Sequence, residues 1–588
     1  MMSLPALGFA AEQWVFKDVQ RTVAFSDVHG DYDAMVATLQ RAGLIDAELR
    51  WSGGESHFVL VGDIMDRGPQ SRAAMDLLMQ LEAEAEQAGG KVHILIGNHE
   101  IMMLVNDVRY VIPEEFAEFA ADETDADRER WFNAYREHRA PPGESAEDTR
   151  TKFDEAYPRG FFAHRKAFAP DGKYGAWLLS KPMLVVVNDT AFVHGGLPPV
   201  VAESGFEAVN VTLLNDVRRY AEQLQVLFDA EQLLPTDRNR DHVELIDRID
   251  MTMVTDRAIG QALEDLKALN DELFSYQSPH WYRGHTYCNP LAEGDRIDAA
   301  LAKIGAKRVV VGHTPTANRQ VVSRLGGRVI EVDTGMNSGY YRGSGHALII
   351  ENGEIAVVNE ADDQQGKPIP YARKVGSRPG VAISTEELES LLRDGQIISA
   401  DGDGNRLQIT HKGQPVDVRF IESKRKGVYP DVAAYRLDRA LELNMVPVTV
   451  KREYDGEQGS LQFVPDDAIT ETIRQQRNIG GGAWCPLPVQ WPSMSIFDAL
   501  VANTGRSTDT LLYNLDTWEV VLTGFAESFT TSTTKPAYLK DGRIEVGNAW
   551  KTALQAMDDA ALEATFADVL DKRRIKALGK RRDYLLSL

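Results

Sequence analysis

Cysteine is nearly missing from this chain. Cys288 and Cys485 are the two that occur in 588 residues. That excludes a disulfide framework; Cys288 is expected as a small buried apolar side chain, and it lies close enough to Arg283 in sequence to sit near a site built there. Long hydrophobic runs are missing too, so nothing reads as a membrane-spanning helix. Cations are in deficit, with 64 Lys and Arg against 88 Asp and Glu and a formal net charge of −24. Such a surface repels nucleic-acid phosphates and anionic membranes, which sets nucleic acid aside as a partner. The amino end lacks the basic residues that open a secretory signal, although Leu4-Pro5-Ala6-Leu7-Gly8-Phe9-Ala10-Ala11 is built like the last part of one. Residues 1–19 are read as a tail, either the remnant of such a signal or a plain terminus. The length exceeds what one hydrophobic core accommodates, so about two to four domains are expected.

What is present is a series of short apolar runs, each ended by a metal-ligand type. Val23-Ala24-Phe25 precedes Asp27-Val28-His29-Gly30, and Phe58-Val59-Leu60-Val61 precedes Gly62-Asp63-Ile64-Met65-Asp66-Arg67-Gly68. Val92 to Ile96 precedes Gly97-Asn98-His99-Glu100, Ala191-Phe192-Val193 precedes His194, and Val309-Val310-Val311 precedes His313. Such runs read as buried parallel strands, with helical patterns between the first three at Tyr32 to Ala42 and Ser71 to Ala88. In open α/β sheets ligands bind just past the carboxyl ends of strands, where all five motifs fall. An isolated Asp-x-His is ordinarily a turn; five such motifs, each after a strand-like run, argue for a site. Carboxylates, imidazoles and an amide in this arrangement can hold two divalent cations side by side, a centre that cleaves phosphoesters.

The order and context of these motifs resemble the calcineurin-like metallophosphoesterases, and within them the phosphoprotein-phosphatase family and its bacterial Shewanella-like branch, over about residues 20–358. The resemblance implies an α/β fold, a metallophosphoesterase β-sandwich flanked by helices. It implies one metal on Asp27, His29 and Asp63 and a second on Asp63, Asn98, His194 and His313, with Asp63 bridging. Mixed oxygen and imidazole donors suit manganese, iron or zinc. His99 is implied as the acid that protonates the leaving oxygen and Asp66 as its orienting partner. Arg67, and Arg283 in His280-Trp281-Tyr282-Arg283-Gly284, are implied as phosphate clamps; Arg283 could instead simply stack on an aromatic surface. Ser26 departs from the family's usual Gly but supplies no ligand. His164 and His285 are candidates for lining the cleft, while His57, His93, His346 and His411 are expected to be structural.

The resemblance implies a metal-dependent phosphomonoesterase acting on a phosphoprotein, phosphotyrosine included, or on a small phosphomonoester, by direct transfer to water. A dinucleoside polyphosphate hydrolase or phosphodiesterase is the alternative, and a regulatory binding protein a third. Exported relatives in this branch favour a periplasmic over a cytoplasmic location.

Residues 106–158 and 205–275 read as helical insertions, the first standing beside the cleft either as a cap on it or as a solvated helical decoration. Residues 359–384 read as a linker. Residues 385–588 are expected to form an α+β domain resembling a lipid-kinase or HipA-like kinase fold, on Val432 to Arg439, Met445 to Val450, Phe497 to Arg506 and Val521 to Phe529. Gly505, Thr510 and Gly524 stand where that pattern needs Asp, Asn and Asp, and Lys424 lies only near the nucleotide-binding Lys position, so phosphoryl transfer from ATP is not expected. Recruitment of a protein partner, or a dimer contact, is the role such a domain suggests. The basic segment Lys572 to Arg582 is expected as a solvated helix face.

Overall fold

The computed structural model describes residues 14–361, 364–370, 375–377, 381–400, 406–465, 467–480, 484–539 and 544–588. The leader-like segment at residues 4–11 lies outside them. The chain divides into two compact units, one of residues 1–282 with 299–371 and one of residues 283–298 with 372–588.

Two sheets build the first unit. In one, the strands run in the order Glu354–Asn359, His346–Glu351, Arg21–Phe25, His57–Leu60 and Lys91–Ile94. The last three are parallel, with Val23 beside Phe58 and Phe58 beside Val92. Val23, Phe25, Phe58 and Val59 are wholly buried, as continuous apolar runs in a sheet covered on both faces must be. The crossovers are the helices Tyr32–Arg41 and Ser71–Gln87. The first is started by Asp31, whose carboxylate accepts from the Ala34 amide at 3.1 Å. The other sheet has seven strands, with Thr190–Val193, Arg308–Val311 and Val329–Glu331 parallel at its centre. Its edge strand Ile369–Pro370 pairs with Val322–Arg324, so the stretch read as a linker contributes backbone to this sheet.

The first insertion is helical at Pro113–Ala117, Asp125–His138 and Ala146–Ala156, the last two capped by Thr124 and Ser145. It carries its own aromatic core of Phe116, Phe132, Phe153, Phe161 and Phe162. The second contains the long helices Phe206–Asp229 and Arg257–Leu273. Asn106 donates to the carbonyls of Pro235 and Asp237, and Arg139 pairs with Asp237 at 2.7 Å, which joins the two.

The second unit is α+β. An antiparallel five-stranded sheet runs Ile397–Ala400, Arg406–His411, Gln414–Glu422, Glu457–Phe463 and Thr449–Tyr454, and a smaller sheet joins Ala468–Thr470, Leu511–Asn514 and Val520–Leu522. Two expectations are corrected here. Cys288 and Cys485 are buried, but as a disulfide across 197 positions rather than as separate thiols; two cysteines are too few for a framework yet enough for one bridge. In the basic tail, helix Lys572–Leu586, the basic residues Lys572, Arg573, Lys576 and Lys580 are exposed while Arg581 and Arg582 are not. Arg581 and Arg582 are buried because they satisfy backbone carbonyls, Arg581 those of Leu500, Thr530 and Ser532 and Arg582 that of Met557.

Candidate metal centre

The strand ends of the first unit converge on one buried cluster. Asp27, His29, Asp63, Asn98, His99, His194 and His313 are each at most 6% exposed. The loops are stitched together by their own backbone: the Asp27 amide donates to Gly62 O at 3.1 Å, His29 to Asp63 O at 3.1 Å and Gly312 to His194 O at 2.8 Å. Gly312 is needed for close approach, because a Cβ there would run into Ser26 and the Asp27 carboxylate. Six of the side-chain-bearing residues sit in the left-handed region, with φ of 55° at Asp27, 48° at His29, 59° at Asp63, 72° at Asp66, 68° at Arg67 and 69° at His313. Non-glycine residues held this way cost about 1–3 kcal/mol each and persist where the surroundings over-determine them, chiefly at functional sites.

Asp63 Oδ2 is the hub. It lies 3.8 Å from His29 Nε2, 3.8 Å from His99 Nε2 and 3.2 Å from His194 Nε2. Two ligand groups share it: His29, Asp63 and His99 form one, Asp63, His194 and His313 the other. Asp27 Oδ1 stands 3.7 Å from His29 Nε2, and its other oxygen accepts from the His313 amide at 2.9 Å. The sequence places Asp27 rather than His99 in the first set, whereas the ligand-distance cluster contains His99.

The donors fit a divalent cation. His29 Nδ1–H donates to Met65 O at 3.0 Å and His194 Nδ1–H to Val61 O at 2.7 Å. Each backbone carbonyl fixes a tautomer that points the Nε2 lone pair inward, the usual support for a metal-binding imidazole. His194 Nε2 then lies 3.0 Å from Asn98 Oδ1 and 3.2 Å from Asp63 Oδ2, acceptors that need a positive charge between them. In the metal-free chain a proton takes that place. Burial lowers the pKa of His194, the Asp63 carboxylate outweighs it, and the imidazole is pushed up to about 10. Burial likewise opposes the charge on Asp63, and His194, His99 and His29 together hold it well below the usual carboxylate range.

His99 and Asp66 form a pair beside this cluster, with Nδ1 2.5 Å from Oδ2. Burial brings the His99 pKa down to about 4 and the Asp66 pKa up to about 8. Both shifts favour a neutral pair that holds one proton between Nδ1 and Oδ2 and presents Nε2–H to the cluster. Arg67 lies against the same wall. Its Nη1 donates to His29 Nε2 at 2.7 Å and to the Tyr341 hydroxyl, and its guanidinium sits 4.8, 5.2 and 5.4 Å from the rings of Tyr110, Tyr340 and Tyr341. Its amide donates to Tyr110 O at 3.0 Å, and the Tyr110 ring lies 5.3 Å from His99, so the first insertion reaches the site.

Several of these residues have no mark in the sequence. Glu100 accepts from the amides of Asp63, Ile64 and Gly97 at 2.7–2.9 Å and thereby holds two ligand loops together; its place in Gly-Asn-His-Glu was the available signal. Tyr110 lies in a loop without a motif, and Tyr340 and Tyr341 come from the one-turn helix Ser338–Tyr341 capped by Asn337, which donates to His29 O at 2.8 Å. Among the candidate cleft histidines, His164 is wholly buried among Phe116, Phe119 and Phe168, and His285 is wholly buried against Glu293 at 2.8 Å. His57 and His93 pair with each other at 3.0 Å. Arg283 belongs to the second unit, where its guanidinium lies 5.3 Å from the Trp484 ring.

Known proteins resemble this chain over part of its length. The chain is 36% identical over 207 residues to Shewanella-like protein phosphatase 2 of Arabidopsis thaliana, covering 33% of this chain and 51% of that protein. It is 23% identical over 317 residues to Shewanella-like protein phosphatase 1 of Plasmodium berghei, covering 54% and 67%. The chain thus spans about half the length of the plant relative. The crystal structure of a cold-active protein-tyrosine phosphatase from a psychrophilic Shewanella species matches 60% of this chain and 81% of its own at 26% identity, with a TM-score of 0.40. The calcineurin-like phosphoesterase family pattern matches residues 20–317, half of the sequence and every residue of the cluster, and the chain belongs to that family.

Proposed function

We propose that this protein is a metal-dependent phosphomonoesterase acting on phosphoprotein side chains, phosphotyrosine among them, or on related small phosphomonoesters. The observation that carries this reading is the pair of ligand groups sharing Asp63, with the His99–Asp66 pair at their edge. Asp27, His29, Asp63, Asn98, His194 and His313 would hold two divalent cations; manganese, iron and zinc suit the donor set. Bound there, such cations supply Lewis acidity and lower the pKa of a water that attacks phosphorus. The rest falls to the chain. His99 Nε2–H donates its proton to the leaving oxygen while the proton shared with Asp66 Oδ2 passes to Nδ1, so the imidazole stays neutral and Asp66 is left as the carboxylate. Arg67 turns its planar fork from His29 and Tyr341 to the non-bridging phosphate oxygens, its backbone fixed by Tyr110 O. Arg283 is read as the second clamp, which favours a monoester dianion over a diester.

We read the second unit as kinase-like without phosphoryl transfer. Gly505 and Gly524 approach each other, Gly524 packs on Thr510, and none of the three offers a carboxylate. Lys424 is exposed and paired with Glu527 at 2.5 Å. The Cys288–Cys485 disulfide supports an oxidising compartment such as the periplasm.

The test is phosphate release from phosphotyrosine, phosphoserine and phosphothreonine peptides and from a dinucleoside polyphosphate, with manganese and again with chelator. Chelator-sensitive release from the peptides is the expected result. Release from the dinucleotide alone would move the assignment to phosphodiester or polyphosphate cleavage.

A further inference from the structure

Asp66 and Arg67 are consecutive residues with φ of 72° and 68°, and the chain that follows them has little of its own to hold that turn. The next helix, Ser71–Gln87, begins at Gln70, whose side chain caps nothing, and it has no acidic residue in its first turn. A helix start of this kind leaves its first amides unsatisfied and frays. The partners come from the first insertion. The Arg67 amide donates to Tyr110 O at 3.0 Å. The Asp66 amide and the Ser71 hydroxyl face the wholly buried carboxyl of Glu115. The Arg72 amide donates to Glu118 Oε2 at 3.0 Å, so the helix is capped from outside by a carboxylate. The Arg72 guanidinium donates to Glu118 O at 2.7 Å and to Asp122 Oδ2 at 2.6 Å, and it lies 4.9 Å from the Phe119 ring. The segment that supplies these groups is itself anchored. Phe116, between the two glutamates, packs in the insertion's aromatic core with Phe132, Phe153, Phe161 and Phe162, and Gly160 permits that closure, because a Cβ there would run into Phe116 O.

We propose that the first insertion is a brace for this turn and that Glu115 and Glu118 are positioning residues: they set where Asp66 and Arg67 stand and, through Asp66, where His99 presents its proton. The proposal rests on the reading of His99 as the acid and Arg67 as a phosphate clamp given above. Its physical basis is that neighbouring non-glycine residues in the left-handed region return to ordinary backbone unless their surroundings over-determine them. That return would swing the Asp66 carboxyl away from His99 Nδ1, 2.5 Å from it in the braced turn, and carry the Arg67 guanidinium with it. Proton transfer tolerates little displacement, since an error of about 1 Å costs about 10²-fold. Neither glutamate belongs to the two ligand groups, so the metals stay when the brace is cut. The insertion thereby takes part in the chemistry without touching the substrate.

The test uses the full-length, manganese-loaded chain with Glu118→Ala, Glu115→Ala and the conservative Glu118→Gln. The readouts are KM and kcat on phenyl phosphate and on p-nitrophenyl phosphate, bound manganese and the melting temperature. Glu118→Ala is expected to lower kcat about 10-fold on phenyl phosphate, whose poor leaving group needs the proton, and by less on p-nitrophenyl phosphate, with manganese content unchanged. Glu118→Gln keeps an oxygen for the Arg72 amide and is expected to restore most of the loss. Glu115→Ala should follow Glu118→Ala; if that variant fails to fold, the two Glu118 variants decide alone. A Glu118→Ala variant that lowers the melting temperature with both kcat values intact, that loses turnover equally on the two esters, or that loses its manganese would overturn the proposal, while an active wild type leaves the phosphatase reading standing. A wild type that releases no phosphate from either ester would remove that reading and this one together.

Discussion

Asp66 in the first unit and Asp498 in the second are both fully buried carboxylates, and their surroundings are opposite. Asp498 accepts from Arg506 Nε at 2.8 Å and Nη2 at 3.0 Å, from Asn503 at 3.0 Å and from the Tyr538 hydroxyl at 2.6 Å. Asp66 has one close contact, to His99, and its Oδ1 has no partner among the described residues. The backbone differs in the same sense. Left-handed residues in the second unit occupy positions that tolerate them, such as Lys412 and Asp455, each just before a glycine in a two-residue hairpin, and Asn478 and Ala502 at helix ends. In the first unit left-handed backbone carries Asp27, His29, Asp63, Asp66, Arg67 and His313. A satisfied buried charge holds a fold together; a buried carboxyl kept neutral beside strained backbone is kept for chemistry.

The largest expected effect is at the shared ligand. Asp63→Asn removes the oxygen common to both groups, and turnover should fall about 10⁴-fold or more because neither cation keeps its place. Metal analysis should show both ions lost or weakened. Full metal content with near-normal turnover would show that Asp63 is as structural as Asp498. His99→Asn should come next, with turnover down about 10³-fold and metal retained, and with a smaller loss on p-nitrophenyl phosphate, whose leaving group needs no proton. Equal losses on good and poor leaving groups would exclude His99 as the acid. Arg506→Ala tests the other side of the comparison. It strands Asp498, and stability should fall by about 3–4 kcal/mol in denaturant unfolding with kcat per folded molecule unchanged. A selective loss of kcat would assign the second unit a catalytic charge.

How much of this was legible in the sequence follows from the same contrast. The cluster was legible because each ligand follows directly on a strand-like apolar run, so local pattern alone puts Asp27, Asp63, Asn98, His194 and His313 at strand ends. The lining of the site was not. Tyr110 and Tyr341 lie 231 positions apart, one in a loop and one in a single helical turn that no periodicity marks, and both pack on Arg67. The disulfide escaped for the same reason, since 197 intervening residues leave no local trace. The buried Arg581 and Arg582 were read as solvated because charge usually is; carbonyls that need donors are invisible before the fold is known. Glu115 was hidden in an acidic helix whose other carboxylate, Glu114, is exposed.

Glu115 provides the smallest and sharpest test. It is wholly buried on the helix Pro113–Ala117, only the Ser71 hydroxyl and the Asp66 backbone weakly oppose the burial of its carboxyl, and His164 Nε2 stands 3.9 Å away. Burial, reinforced by Asp66, raises its pKa well above the ordinary value, and burial lowers that of His164. The sign follows from proton counting. A carboxyl whose folded pKa exceeds its unfolded one binds more protons when folded, so its stabilisation is complete below the unfolded value and is lost as pH rises through the folded value. Glu115→Gln keeps the shape and cannot ionise. The variant should match the wild type near pH 4 and be more stable by about 1 kcal/mol or more at pH 8, measured as urea unfolding of the metal-free chain at both. A gain that does not grow with pH, or a loss at pH 8, would mean that Glu115 is charged and paired in the folded protein, and the insertion would then be buried on the same terms as Asp498.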